Sequence, residues 1–379
     1  MKSCGIIVEY NPFHYGHAYH AKMARKLSGA EIIIAVMSGN FLQRGEPAIL
    51  DKWDRAEVAL RNGVDLVVEL PFSWAVQSAD YFARGSVKML QSLQCEALCF
   101  GTDEENDFDY QSYGDFFNQH QVEIDNYFKS LPIDLSYPEK MAQTVRHFLP
   151  KLAEFPPNHI LALSYAKENA KYAKPMTLFP LKRQGQGYHD NQLMVQSFAS
   201  ATGIRQAVNL GNDFSNFVPE LTEKKLFDYH LSWSDFWPYL YYQLKVSTPK
   251  ELKMLYQMNE GVEFRLLNQL RPDFSDYLAG IQTKRYTKAR LQRLLVYTLL
   301  QVKPAEIAYE QENSLLHILG FTDAGKKYLN QHKKDFTLPM AAKIGKQEQA
   351  NHLLTYRSDQ IYQMLHPVEQ NLGRFPLQV

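Results

Sequence analysis

The sequence predicts an α/β protein, with a Rossmann-like, doubly wound parallel sheet followed by an all-helical C-terminal domain. Three observations support this class. Apolar runs alternate with amphipathic helical stretches up to residue 101, a turn with histidines and a glycine follows the first run, and strand patterns cease beyond residue 215. Strands and helices that alternate at this spacing form a parallel sheet covered by helices. We therefore divide the chain into domains at 1–215 and 216–379.

The first predicted strand covers residues 4–10. It shows no polar alternation before Glu9, as expected of a central strand buried on both faces. Pro12 fixes its own φ angle and disfavours helical geometry at Asn11, so the strand must end there. A helix is predicted over 16–28, with its N-terminus directed at the end of the strand.

The remaining elements continue the alternation. Further strands are predicted at 31–37, 65–70, 97–100 and 176–181, and further helices at 51–62, 75–93, 159–173 and from residue 200. The acidic run at 103–109 is expected to be a solvated loop, with helices between it and Pro156. Ligands of such sheets bind beyond the carboxyl ends of the strands, so the loops that follow the first four strands should form the site.

Composition and charge exclude several classes of protein. The 379 residues include 41 basic and 41 acidic side chains, so nucleic-acid binding would have to come from a local patch. Three cysteines without a C-x-x-C pair favour core positions in a reducing compartment over a disulfide framework. No apolar stretch approaches the length of a membrane span, and the N-terminus lacks the layout of a signal peptide. We expect a cytoplasmic protein with no membrane partner; its oligomeric state is not indicated.

The turn after the first strand contains His14, Gly16 and His17 in a His-x-Gly-His pattern. Gly16 has no Cβ, which lets a phosphate or ribose approach the backbone. The helix that starts here offers unsatisfied N–H groups and the positive end of its dipole to an anion. His14 and His17 can stabilise charge that develops on an α-phosphate and on departing pyrophosphate. The motif therefore predicts a site that splits ATP between its α and β phosphates.

Two other roles of these histidines stay open at this point. A histidine beside a turn is often a surface or capping residue. His17 and His20 share a helix face and could bind zinc, but no cysteine or carboxylate nearby completes a ligand set. The strand–turn–helix context favours the phosphate site, and we predict no metal ligands.

A second candidate phosphate site lies at 199–205, which reads Ala-Ser-Ala-Thr-Gly-Ile-Arg. Ser200 and Thr202 open a predicted helix, and their hydroxyls could be ordinary N-caps worth about 1 kcal/mol. They could also contact the β and γ phosphates, with Arg205 adding charge one turn later. Arg183, in the glycine-rich stretch before this helix, could supply a further cation.

Together these motifs resemble a known family. Tyr10-Asn-Pro-x-His-x-Gly-His with the late Ser200-x-Thr-x-Ile-Arg is the pattern of nucleotidylyltransferases, which implies the nucleotidylyltransferase type of sheet. The chain is more specifically similar to the tRNA(Met) cytidine acetate ligase family, over nearly its whole length. Further segments that carry this resemblance are Ser38-Gly-Asn-Phe-Leu-Gln-Arg-Gly-Glu-Pro-Ala-Ile, Asp65-Leu-Val-Val-Glu-Leu-Pro, Phe100-Gly-Thr, Gly187-Tyr-His-Asp, Lys284-Arg-Tyr-Thr, Arg290-Leu-Gln-Arg-Leu-Leu and Leu319-Gly-Phe.

The resemblance implies an enzyme and a reaction. The family activates acetate with ATP to acetyl-adenylate, releases pyrophosphate, and acetylates N4 of the wobble cytidine of elongator tRNA(Met). We assign the catalytic roles to His14, His17 and Arg183, and expect Mg²⁺ to bridge the phosphates of ATP. The implied ATP contacts are Ile7, Val8, Glu9, Tyr10, Asn11, Pro12, Phe13, His14, Tyr15, Gly16, His17, Ala18, Tyr19, His20, Gly101, Asn158 and Arg183, to which the second motif adds Ser200, Thr202 and Arg205.

Three of these residues need comment. Gly101 would allow a nucleoside close to a strand end. Asn158 suits a helix N-cap as well as a nucleotide contact. Glu9 departs from the wider superfamily, which has threonine there, and a carboxylate near phosphates is repulsive unless it binds Mg²⁺, a ribose hydroxyl or another group.

Basic residues provide candidate RNA contacts. Cytosine recognition requires an unstacked base that is read on its Watson–Crick edge. Loop 38–52 lies next to the proposed site, although a long polar loop can also be a lid, and the stretch 284–293 contains no acid. The RNA-binding candidates are Arg44, Lys284, Arg285, Lys288, Arg290 and Arg293, with Asn40, Phe41, Gln43 and Lys52 as further RNA or pocket contacts from the loop. The alternative for 284–293 is a solvated helix face.

Two other functions fit part of the sequence. A small-molecule nucleotidylyltransferase that transfers AMP to a phosphorylated acceptor would use both motifs but would not need a helical domain with a basic stripe. A non-catalytic RNA-binding protein on a relic fold would not need both phosphate motifs. Pyrophosphate release that is stimulated by acetate would separate the ligase from both.

Overall fold

A computed structural model describes residues 1–102, 108–132, 135, 137–149, 160–182, 199–283 and 286–379. Its strands are β1 (Ser3–Val8), β2 (Ile32–Ser38), β3 (Leu66–Leu70), β4 (Ala97–Thr102), β5 (Thr177–Lys182), β6 (Leu316–Phe321), β7 (Met340–Ala341) and β8 (Leu377–Gln378). All eight belong to one sheet with the order β5-β4-β1-β2-β3-β6-β7, in which β8 also pairs with β6.

The helices fall into two groups along the chain. Those up to residue 210 are α1 (Tyr15–Ser28), α2 (Lys52–Arg61), α3 (Phe72–Ala75), α4 (Ala79–Ser92), α5 (Tyr110–Gln119), α6 (Gln121–Ser130), α7 (Tyr137–Phe148), α8 (Ile160–Asn169) and α9 (Ala201–Leu210). A 3₁₀ turn at Ser215–Phe217 precedes the second group, which is α10 (Glu220–Asp228), α11 (Trp233–Val246), α12 (Pro249–Lys253), α13 (Val262–Asn268), α14 (Phe274–Ile281), α15 (Lys288–Leu299), α16 (Pro304–Glu312), α17 (Asp323–His332), α18 (Lys346–Asn351) and α19 (Leu353–Gln363).

The first five strands are parallel, so their carboxyl ends all lie along one edge of the sheet. β1 lies between β2 and β4, and β3 and β5 extend the parallel sheet on either side. All residues of β2 and β3 are buried, as expected of strands covered on both faces. α1 and α2 pack on one face, and α4 and α8 pack on the other. The carboxyl ends of these strands therefore meet at the edge where α1 and α2 begin.

The predicted α/β class with its parallel sheet is confirmed, with shifts at particular elements. The predicted helix 75–93 is two helices, α3 and α4, interrupted at residues 76–78. The first strand ends at Val8 instead of Tyr10, because Tyr10 adopts a φ of 55°, outside the range of strand residues.

The expectation of an all-helical region after residue 215 is corrected at three strands. β6 pairs antiparallel with β3, with Glu69 opposite His317, and β7 and β8 pair with β6. A short apolar run cannot be told from a buried helical segment by periodicity alone. The run at Leu316–Phe321 is a strand, because its backbone N–H and C=O groups form hydrogen bonds with the edge of β3. The boundary at 215/216 stays a prediction.

The β2–α2 loop (residues 39–51) joins the sheet to the helical core. That core is built mainly from α11, α13, α14 and α15. Phe41 of the loop enters it and packs against Phe72, Phe236 and Tyr362, at ring-centroid distances of 6.3, 5.8 and 6.5 Å. Within the described ranges, no helix has both the length and the apolar character needed to cross a membrane.

Candidate active site

The first motif lies where β1 ends and α1 begins. Tyr10 is buried and packs against Phe13 and His17, with ring centroids 4.7 and 4.9 Å away. Phe13 is also buried and contacts the His17 ring at 5.6 Å. Because both aromatic rings are fixed in the core, they hold the first turn of α1 at the carboxyl edge of the sheet.

His14 and His17 cap this first turn reciprocally. The Gly16 N–H donates to His14 Nδ1 (3.1 Å), and the His14 N–H donates to His17 Nδ1 (3.2 Å). The ring centroids lie 3.8 Å apart. A ring nitrogen that accepts a hydrogen bond carries no proton, so the proton of each neutral ring is on Nε2. The capping role and the phosphate role are therefore compatible, since capping uses Nδ1 and leaves the Nε2–H tautomer, which can donate to a phosphate oxygen.

Arg205 connects the second motif to the first. From α9 its Nη1 donates to the Asn11 carbonyl oxygen at 2.7 Å, and its Nη2 lies 3.3 Å from Glu46 Oε2 and 3.4 Å from Thr202 Oγ1. Two motifs that are almost two hundred residues apart thus meet at one edge. The cation stands directly behind the turn that carries both histidines.

The other predicted ATP contacts differ in what the structure says of them. Ser200 Oγ accepts from the Gly203 N–H at 3.1 Å, which is an N-cap bond, so its phosphate contact stays a prediction. Gly101 is partly exposed near the end of β4, the strand that neighbours β1. Asn158 and Arg183 lie outside the described residues, and their roles stay predictions.

Arg55, which the sequence analysis missed, ties the strand ends together. The side chain is fully buried in α2, and its Nη1 donates to the carbonyl oxygens of Glu9 (2.6 Å) and Ser38 (3.0 Å), while Nη2 donates to that of Gly39 (2.6 Å). Glu9 directly follows β1, Ser38 is the last residue of β2, and Gly39 directly follows β2. The signal was an arginine on the apolar face of an amphipathic helix, where only a satisfied cation is stable.

Glu9 follows β1 directly and is partly exposed. Its Oε1 accepts a hydrogen bond from the Gln43 N–H at 2.7 Å. Burial raises the pKa of this carboxyl, and Glu46 adds to the effect, while Gln43, Arg44 and Arg55 oppose it. The group is a carboxylate whose proton affinity is increased by its surroundings.

Lys52 belongs to a buried ion network, which we define as Lys52, Glu69, His317 and Asp359. Lys52 Nζ lies 2.8 Å from both oxygens of Glu69 and 2.6 Å from Asp359 Oδ2, and His317 Nδ1 lies 2.6 Å from Glu69 Oε2. Burial alone would raise the pKa of Glu69, but Lys52 and His317 outweigh it and hold that pKa below its usual range. The network joins α2, β3, β6 and α19.

This network corrects part of the predicted RNA surface. Lys52, Asn40 and Phe41 are all buried. The Asn40 side-chain amide donates to Asp359 Oδ1 at 2.8 Å, and its oxygen accepts from the Lys52 N–H at 2.8 Å. These three residues therefore hold the loop in place and are not placed to contact RNA.

Three of the remaining described RNA candidates form an arginine cluster, which we define as Arg44, Arg290 and Arg293. Arg293 is only 9% exposed, and its Nη1 donates to the Gln43 carbonyl oxygen at 3.3 Å. Burial lowers the pKa of Arg293, and the charges of Arg290 and Arg44 add to that effect. Since guanidinium keeps its proton even so, three positive charges converge beside the loop.

Backbone geometry explains how the cluster assembles. Gly45 has a φ of 75°, and a Cβ there would lie 2.2 Å from the Arg293 backbone nitrogen. Only glycine allows the loop to approach α15 this closely, which brings the exposed Arg44 next to Arg293. Arg290 is paired with Glu260 at 3.2 Å, and Lys288 is exposed. Lys284 and Arg285 lie outside the described residues.

Among the described residues, one group of three side chains has ligand atoms close enough together for a metal ion: Asp51, Asp54 and His366. Lys225 Nζ lies 2.5 Å from Asp54 Oδ1, and Tyr229 donates to Asp54 Oδ2 at 2.9 Å. A carboxylate already neutralised by a lysine is a poor cation ligand. The group does not include His17 or His20, the pair considered for zinc.

The fold and the paired histidines define a nucleotidyl transferase of the HIGH class. The model of the family described as HIGH Nucleotidyl Transferase matches residues 1–374. Among solved structures, apo TmcAL of Thermotoga maritima is 26% identical, with a TM-score of 0.90 and 100% of both chains covered. Its crystal form bound with alpha-thio ATP gives a TM-score of 0.87, with 100% and 99% covered.

Curated relatives narrow this class. A tRNA(Met) cytidine acetate ligase of Streptococcus thermophilus is 42% identical over 390 residues, and one of Ligilactobacillus salivarius is 39% identical over 390 residues, each covering 100% of both chains. The chain belongs to the tRNA(Met) cytidine acetate ligase family. The family predicted from the motifs is therefore confirmed, as is the prediction of an enzyme of the ligase class.

Proposed function

We propose that this protein activates acetate with ATP to acetyl-adenylate, releases pyrophosphate, and transfers the acetyl group to N4 of the wobble cytidine of elongator tRNA(Met). The observation that carries the first step is the reciprocal cap of His14 and His17, because it sets two Nε2–H donors at a helix N-terminus. The products are N4-acetylcytidine, AMP and pyrophosphate.

In the first step, acetate attacks the α-phosphate in line with departing pyrophosphate. The protein positions the groups and neutralises charge. His14 and His17 donate to oxygens of the α-phosphate and the leaving group, and the first turn of α1 carries no acidic residue that would oppose an anion. Arg205 adds positive charge behind the turn, and Arg183 is assigned the same task from the sequence.

Mg²⁺ is expected to arrive with ATP, bound to phosphate oxygens. The described residues of the first motif offer imidazole nitrogens and backbone N–H groups, which suit phosphate, whereas Mg²⁺ prefers oxygen ligands. Glu9 is the one carboxylate in Ile7–His20, and one of its oxygens already accepts from Gln43. The donor set does not fit a metal held by the chain, and no step of the proposal depends on one.

The RNA is expected to lie across the arginine cluster. Phosphate contacts supply much of the affinity in protein–nucleic acid complexes, and an otherwise neutral chain needs a local positive patch for them. The exposed Arg44 and the half-buried Arg290 would contact a phosphate, and the buried charge of Arg293 would strengthen the attraction. The three buried cysteines are free thiols, in keeping with a protein of the cytoplasm.

The test measures both half-reactions with His14→Asn as the variant. Asparagine is a good N-cap, so this change should keep the helix start while removing the imidazole donor. We expect acetate-dependent ATP–pyrophosphate exchange to fall about 10²–10³-fold, with an unchanged melting temperature. Wild type should transfer label from [¹⁴C]acetate to tRNA only when ATP is present. Digestion of the labelled tRNA should yield labelled N4-acetylcytidine.

Two outcomes would contradict the proposal. Pyrophosphate release that does not depend on acetate, with AMP transfer to a small acceptor, would move the protein to the small-molecule nucleotidylyltransferases. Exchange at the wild-type rate in His14→Asn would remove the imidazole from the catalytic machinery.

A further inference from the structure

Glu9 has one carboxylate oxygen held and one available. Oε1 accepts from the Gln43 N–H at 2.7 Å, and among the described residues no donor is hydrogen-bonded to Oε2. The residue lies between the last residue of β1 and the turn that carries His14 and His17. The strand end and a backbone hydrogen bond thus hold a carboxylate next in sequence to the proposed phosphate site, with one oxygen that no described donor occupies.

Gln43 links this carboxylate to the arginine cluster. Its N–H donates to Glu9, and its carbonyl oxygen accepts from Arg293 Nη1 at 3.3 Å. The two proposed binding features are therefore separated by a single residue. A nucleotide whose phosphate lies on the arginine cluster can extend its base toward Glu9, where the carboxylate matches the N4 amine, the hydrogen-bond donor of cytosine.

The second step of the proposed function requires a base. The N4 amine of cytosine is a weak nucleophile because its lone pair is delocalised into the ring. When N4 attacks the acetyl carbonyl of acetyl-adenylate, a C–N bond forms, the C–O bond to AMP breaks, and AMP leaves with that electron pair. N4 must also lose one proton, which water or a side chain has to accept.

We propose that Glu9 is the general base of this step and accepts the N4 proton on Oε2, before passing it to solvent. This inference rests on the proposed function. It gives a function to the carboxylate that stands where the wider superfamily has threonine. It also implies that the cytosine lies on the side of β1 that faces the β2–α2 loop.

The surroundings of Glu9 act on its pKa in both directions. A general base must be ionised and must also have a high proton affinity. Burial raises its pKa, which brings its proton affinity closer to that needed near neutral pH. Arg44 of the β2–α2 loop and Arg55 of α2 act in the opposite direction and favour the ionised form, whereas Glu46 opposes it. His14 and His17 at the start of α1, Tyr10 and Arg205 are further titratable groups that the structure describes at this edge.

Glu9→Gln tests the base while keeping the support, because a glutamine oxygen can still accept from the Gln43 N–H. We would measure acetate-dependent ATP–pyrophosphate exchange for the first step and single-turnover acetyl transfer to tRNA for the second. We expect the ratio of transfer rate to exchange rate to fall at least 100-fold. The wild-type transfer rate should rise with pH through one titration that the variant lacks. The control is Glu312→Gln at an exposed site, which should retain the wild-type ratio.

Each other result has a definite meaning. Equal losses in both half-reactions would place Glu9 in ATP binding and overturn the base. An unchanged ratio with unchanged pH dependence would overturn it as well. Wild type without acetate-dependent exchange would overturn the proposed function itself, and a variant of lowered melting temperature would be replaced by Glu9→Asp, for which partial transfer activity is expected.

Discussion

Two groups of basic side chains lie at or next to the β2–α2 loop, and they differ in how their charge is balanced. At the end of the loop, Lys52 is fully buried between Glu69 and Asp359, at 2.8 and 2.6 Å. Near its tip, Arg293 is nine-tenths buried against Gln43, and within the described ranges no carboxylate is hydrogen-bonded to it. The buried ion network pairs its cation with two carboxylates, whereas Arg293 has only a backbone carbonyl as a described partner.

This difference separates a structural role from a binding role. Removal of a charge from water is costly unless an opposite charge or enough hydrogen bonds replace the lost hydration. The carboxylates of the network supply that compensation from α19 and β3. For Arg293 no described carboxylate supplies it, so we propose that an RNA phosphate compensates this charge.

The largest effect is expected when the complete network is broken. Lys52→Met leaves Glu69 and Asp359 buried without their cation, and should lower the free energy of unfolding by about 3–5 kcal/mol. Urea unfolding followed by tryptophan fluorescence measures this change. Lys326→Met, at an exposed site of α17, should change stability by less than about 0.5 kcal/mol. A Lys52→Met variant as stable as wild type would show that the network contributes nothing.

Glu310 extends the comparison to a buried anion. It is buried and accepts from the N–H groups of Leu354 and Thr355 at 2.7 and 3.0 Å. Burial raises the pKa of Glu310 to about 7. The pKa of Glu69, which is paired with Lys52, is shifted in the opposite direction. Because the folded-state pKa of Glu310 lies above the ordinary value of 4.5, its stabilising contribution is fully present below pH 4.5 and is lost as pH rises through about 7.

Glu310→Gln, which mimics the protonated carboxyl, should remove this pH dependence. We expect wild type to lose on the order of 1–3 kcal/mol of stability between pH 4.5 and 8 relative to the variant. Urea unfolding at a series of pH values provides the measurement, with Glu312→Gln as the exposed control. Parallel curves for wild type and Glu310→Gln would contradict the assignment.

The arginine cluster should respond in the opposite way to the network. Arg293→Met removes an unbalanced buried charge, so stability should change by less than about 1 kcal/mol, while tRNA affinity should fall about 5–10-fold. The slope of log affinity against log salt should become shallower, by less than the value of about 1 expected for loss of a direct phosphate contact. Filter binding at several salt concentrations tests this, with Lys327→Ala on α17 as the exposed control. Loss of stability without loss of affinity would make Arg293 a structural residue like Lys52.

The sequence predicted the parallel sheet and the first motif because both depend on local patterns. A buried strand, a proline turn and the start of α1 are encoded within about twenty consecutive residues. The second motif was likewise found from its own residues, and the family resemblance added the substrates. The three strands of the second half were missed, because β6 pairs with β3, which is distant in sequence, and β7 and β8 in turn pair with β6.

Side-chain roles in the β2–α2 loop could not be predicted for a related reason. Lys52 and Arg44 are both basic residues of one polar segment, and no local pattern distinguishes them. Asp359, which balances Lys52, lies 307 residues further along the chain. Arg55 was missed likewise, since its partners are backbone carbonyls at three strand and loop ends.

The sequence alone determined the class of sheet, the position of the histidine turn and the chemistry available there, because these depend on periodicity, φ restriction and residue type. Tertiary structure decided that Lys52 is balanced by Glu69 and Asp359, and that Gln43 stands between Glu9 and Arg293. Charge compensation and hydrogen bonding act over distances in space, and only the folded chain brings the partners within reach.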